Sequence, residues 1–154
     1  MASGRRAGAR RPARTPVERL RAICLALPEA TEKIAWGEPT WRVRGKLFAQ
    51  LDDHHHGADH LAVWLPAPLG EQEAMIFTDP ARFFRPPYVG PRGWVGVRID
   101  RRPDWTQLAR LVEQAYRHVA PPRLLESLGT IRPPRTSKPS RTRKRSRTSR
   151  QRSR

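Results

Sequence analysis

The chain has one cysteine, two methionines and two tyrosines in 154 residues. It has no apolar run approaching the roughly 18 residues of a membrane span. A single cysteine excludes an internal disulfide. Cys24 falls on the apolar side of a predicted helix, which makes it a small core residue in a reducing compartment. Also missing are a Gly-rich phosphate loop, an HExxH pair and a Ser-His-Asp order with a supporting motif, so the expectation is a protein that is not an enzyme and carries no cofactor. The paired arginines at positions 5–6 and 10–11 are followed by Glu18, Arg19 and Arg21, where an export signal needs an apolar stretch. The expected compartment is therefore the cytoplasm.

Acid is absent from both ends. Residues 1–14 hold five arginines and residues 129–154 hold eleven basic side chains, with no Asp or Glu in either. That leaves 15 basic residues against all 14 acids in residues 15–128, a net of +1 beneath a formal total of +17. A nearly neutral body is thus flanked by two basic arms that lack the apolar content to fold and are expected to be disordered in isolation. The C-terminal arm interleaves Arg141, Arg143, Lys144, Arg145 and Arg147 with serine and threonine. Such a run neutralises phosphates and releases their counterions, giving an affinity that falls steeply with salt. Without an apolar anchor it is poorly suited to a membrane. The expected partner is DNA, with RNA left open.

Within the body, Thr15-Pro16-Val17-Glu18 is a capping box with proline at the first helical position. Val17, Leu20, Ile23, Cys24 and Leu27 then share one face until Pro28 ends a helix over 16–27. A polar connection, 29–33, leads to a turn at Trp36 and a hairpin from Thr40 to Leu51. The predicted hairpin has a three-residue loop, Val43-Arg44-Gly45, with Arg42 opposite Lys46 and Trp41 opposite Leu47; a two-residue loop would set Lys46 beside Val43 on the apolar face. This register sends Phe48 to the far face with Arg42 and Lys46.

Further on, the pattern predicts a strand over 60–65, a short helix over 71–78 and a proline-bearing edge segment over 82–90. A strand over 93–99 buries Val95, Val97 and Ile99 and feeds a helix capped by Asp104, whose stripe runs Trp105, Leu108, Leu111, Val112, Ala115, Tyr116 and Val119. One more helical turn is expected over 123–128. The class is α+β, a two-layer α/β domain with a mainly antiparallel sheet and its helices on one face.

Four stretches, taken in order, resemble the MmcQ/YjbR-like family: Trp36 to Ala49 (WGEPTWRVRGKLFA), Arg82 to Gly90 (RFFRPPYVG), Gly93-Trp94-Val95, and Ala115 to Pro121 (AYRHVAP). The resemblance covers roughly residues 15–128. It implies a fold like that of the secretion chaperones and a role in binding DNA through two wing-like hairpins. On matching positions the first wing carries Arg42, Arg44 and Lys46, and the second, around Tyr88 to Trp94, carries Arg85 and Arg92. The family brings no agreed catalytic residues to transfer. Neither the His-rich loop nor the basic C-terminal extension belongs to its pattern.

If the predicted faces hold, Phe48, Trp64, Trp94 and Arg98 join Arg42 and Lys46 on an open sheet surface, where aromatics could stack on bases and cations could meet phosphate. Cover by the proline-rich stretch 79–92 is the alternative. Asp52, Asp53, His54, His55, His56, Asp59 and His60 bring seven potential ligands into nine residues, but neighbouring histidines in a loop do not fix a tetrahedral set, and no metal is expected. The other functional reading is a protein-interaction or chaperone-like module, whose arms supply only non-specific polyanion binding.

Overall fold

A computed structural model describes residues 11–128. The arms expected over 1–14 and 129–154, Arg141, Arg143, Lys144, Arg145 and Arg147 included, lie outside those residues apart from positions 11–14. Four α-helices and six strands follow one another as α1 (Pro16–Leu25), β1 (Ala30–Ala35), β2 (Glu38–Val43), β3 (Lys46–Asp53), β4 (Leu61–Pro66), α2 (Glu71–Thr78), β5 (Phe83–Phe84), β6 (Trp94–Arg98), α3 (Trp105–Val119) and α4 (Pro122–Ser127). The strands form one open sheet in the order β1-β2-β3-β4-β6-β5, antiparallel at every pairing. This is the α+β class expected.

Both principal helices begin as their sequences dictate. The Thr15 hydroxyl accepts from the Glu18 amide at 3.2 Å while the Glu18 carboxylate accepts from the Thr15 amide at 2.8 Å, closing a capping box. At α3 the Asp104 carboxylate accepts from the amides of Thr106 and Gln107, and Arg117 and His118 lie at the negative end of the helix.

Leu20 and Cys24 of α1, Leu108, Val112, Ala115 and Tyr116 of α3, and Leu124 of α4 pack on Trp41, Val43, Ala49, Leu51, Val63, Leu65, Val95 and Val97 of the sheet. Met75 and Ile76 of α2 join the same cluster. All four helices thus cover one face. Burial pushes the Cys24 thiol far above its ordinary pKa and keeps it protonated and unreactive.

Two expectations are corrected. The connection at 29–33 is the start of a strand, β1, running along the whole of β2. Its side chains are mostly exposed and it is an edge strand with no further strand beside it among the described residues, so it shows no apolar alternation. The second correction concerns the β2–β3 hairpin. Its loop has two residues, Arg44 and Gly45, both left-handed (φ 50° and 77°), so Val43 faces Lys46 and Arg42 faces Leu47.

The objection to that register was Lys46 beside Val43. It falls because Lys46 stands at the strand end, in solvent, while a bulge between Trp41 and Arg42 sets Phe48 and Ala49 together against Trp41. Phe48 is therefore fully buried on the helix side. Its ring meets Tyr116 edge to face, with centroids 5.4 Å apart.

Candidate functional site

The face away from the helices is covered by loops. Gln50, Asp52, Trp64, Trp94, Gly96 and Arg98 lie on it, as their cross-strand pairing requires. Asp52, 2% exposed, is the anchor of one cover. Its carboxylate accepts from the His55 amide at 2.9 Å, from His60 Nε2 at 2.7 Å and from Trp64 Nε1 at 2.9 Å. The loop after β3 is thereby fastened over Trp64, and the His55 ring sits edge-on to that indole. The His60 ring reaches Phe84, which lies so close over Gly96 that a Cβ there would stand 2.3 Å from its ring.

The second cover is the segment between β5 and β6. It is tied down by Gln72 of α2, whose buried amide donates to the carbonyls of Gly90, at 2.8 Å, and Trp94. Between the two covers a cavity of about 410 Å³ is lined by Trp36, Gln50, His55, Trp64, Tyr88 and Val89. A second hollow of about 600 Å³ shares Trp36, Gln50 and Val89 with it and continues along β3 to Lys46, Leu47, Arg92, Trp94 and His118. Arg92 and His118 also border a third, with Arg85 and Gln72. The three adjoin through shared residues and form a groove that is aromatic around Trp36, Trp64 and Tyr88 and charged around Lys46, Arg92, Arg85 and Glu73.

Of the sequence-derived cations, Lys46, Arg85 and Arg92 are exposed, line this groove and make no hydrogen bond or ion pair among the described residues. Arg44 is instead held by Glu29 at 2.9 and 3.2 Å, and Arg98 by Asp100 and the Asp59 carbonyl. Arg42 points a terminal nitrogen toward the Gly45 carbonyl at 3.4 Å and buries its Nε without a partner among the described residues. The three proposed stacking residues are enclosed: Phe48 within the core, Trp64 and Trp94 beneath the loops at 3% and 7% exposure. The proline-rich cover weighed as the alternative lies over Trp94, Trp64 is covered chiefly by the loop after β3, and the bulge accounts for Phe48.

Sequence reasoning missed the aromatics that are open. Trp36 and Tyr88 are 68% and 74% exposed, and both are left-handed, with φ 54° and 63°. The signal for Trp36 was the Trp36-Gly37 dipeptide before a strand, which reads as a two-residue turn whose first side chain stands outside the sheet. Among the described residues no group of three or more His, Cys, Asp or Glu side chains converges to hold a metal. Nor is any helix among them long and apolar enough to cross a membrane.

A six-stranded antiparallel sheet with helices on one face and a loop-walled groove on the other defines a small α+β domain. The YjbR family model matches residues 25–118, more than half of the chain, and the protein belongs to that family. Its fold is similar to the crystal structure of Deinococcus radiodurans protein DR2400, described as a DUF419 domain, at a TM-score of 0.60 and 21% identity over 75% of this chain and 91% of that one. No curated protein matches the chain.

Proposed function

We propose that this protein binds nucleic acid, DNA in the first place, without catalysing a reaction, and that it does so in the cytoplasm. Charge segregation carries the reading: sixteen of 31 basic residues stand in two ends that contain no acid, around a body of net +1. The ends supply affinity by neutralising phosphate and releasing counterions. The body supplies orientation through Lys46, Arg85 and Arg92, cations that no carboxylate of the described residues occupies. Arg42 and Arg44, at the tip of the first hairpin, and Arg98 are committed to internal contacts, so their share is smaller than that of the groove cations.

The test is a salt titration. The logarithm of the affinity should fall by about 0.9 per phosphate neutralised on duplex DNA, and removing residues 129–154 should reduce that slope by several units. An unchanged slope removes the arm from the account. Residues 15–128 alone, offered duplex DNA, single-stranded DNA and RNA at moderate salt, should retain weak binding. Indifference to all three would instead leave the body a protein-interaction module.

A further inference from the structure

We propose that the cavity between Trp36, Trp64 and Tyr88 receives one unpaired base of a single-stranded nucleic acid, with the neighbouring phosphates on Lys46 and Arg92. This rests on the nucleic-acid reading above and names what the folded body recognises.

Three observations meet at this place. The first is Gln50, 6% exposed on the cavity floor beside Trp64, its side-chain amide without a hydrogen-bond partner among the described residues. Its amide atoms stay accessible from the cavity, so a ligand presenting both a donor and an acceptor can pair with them. The edge of an unpaired base presents both.

The second observation is the pair of aromatic side chains at the mouth. Trp36 and Tyr88 remain exposed on left-handed backbone, a conformation ordinary residues avoid, and each places a ring on the same cavity. Between them, and above the Trp64 indole, a flat ring has faces to lie against. The volume of about 410 Å³ falls in the range of small-ligand sites.

The third is what lies next to the cavity. The groove leads from Gln50 and Trp36 to Lys46 and Arg92, so a base held at one end leaves its sugar-phosphate chain directed at two cations that are unpaired among the described residues. A free aromatic molecule would use only the cavity, and an intact duplex keeps its bases stacked and out of reach. A single strand uses both ends.

The experiment uses the full chain and three labelled ligands of equal length: oligothymidylate or oligouridylate, an abasic strand with the same phosphates, and a duplex. The base-bearing strand should bind about tenfold more tightly than the abasic strand. Trp36→Gly and Tyr88→Gly, chosen because glycine accepts a positive φ, should each shrink that ratio toward one and leave duplex binding unchanged. Lys46→Ala combined with Arg92→Ala should lower the single-strand salt slope by about 1.4, the value for two phosphates. Equal binding of the base-bearing and abasic strands, or a ratio that survives both glycine variants, overturns the base site. Either result leaves the phosphate reading standing as long as loss of the C-terminal arm still lowers the slope. An unaltered slope beside a surviving base preference would overturn the arms and keep the cavity.

Discussion

The two faces of the sheet are closed by different means. On one side helices bring their own backbone hydrogen bonds, so mainly apolar side chains dock them, and Trp41, Phe48, Leu65, Val97 and Tyr116 make a buried interior. On the other side the cover is loop. A loop carries polar backbone that must be satisfied, so it is held by buried polar anchors, Asp52 and Gln72, and it cannot fill every space beneath it. The groove lies where it does because loops seal a sheet less completely than helices.

The sharpest way to break this contrast is Phe48→Ala. A ring buried against Tyr116 should cost about 3–5 kcal/mol when removed, read by urea unfolding; a loss below about 1 kcal/mol would return Phe48 to the loop side. Asp52→Ala comes next, since it strands three donors at once. About 3 kcal/mol should go, with faster amide exchange confined to residues around His54–His60, and protection left intact would mean that the loop is held by something else.

Trp36→Gly should move stability the other way. Relief of the left-handed tryptophan is worth about 1 kcal/mol and its exposed ring forfeits little, so the urea midpoint should rise. A fall would show that the indole supports the fold. The smallest effect is one of pH. The Arg98 guanidinium holds the Asp100 carboxyl below the usual carboxylate range, so this pair contributes fully above the unfolded pKa of about 3.9 and is lost as pH falls through the lower folded value. Both side chains are partly exposed, which keeps the contribution under about 1 kcal/mol; Asp100→Asn should flatten this part of the acid limb, and an unaltered limb would deny the pair any part in it.

The helix-covered face was largely legible in the sequence. The stripe from Leu108 to Tyr116 and the alternation of Val95 and Val97 need only helical and strand periods to read, and the caps at Thr15 and Asp104 mark where they start. The loop-covered face was not. A bulge shifts the phase of side chains without leaving a mark in composition, and for that reason Phe48 was assigned to the wrong side. β1 escaped because an edge strand in water has no apolar period to show. The groove cations Lys46, Arg85 and Arg92 were named from the sequence, but Gln50, Tyr88 and Trp36 meet only after the chain has folded.

The borders of the sheet bear on how copies of this chain behave together. On one border Thr31, Glu32 and Lys33 stand in β1; on the other, β5 is two residues long and is followed by Pro86 and Pro87, which have no amide hydrogen to give. Neither border offers a long, greasy rail for a neighbour's strand to zip onto. Strand-to-strand pairing between copies is therefore disfavoured at both borders of the described sheet.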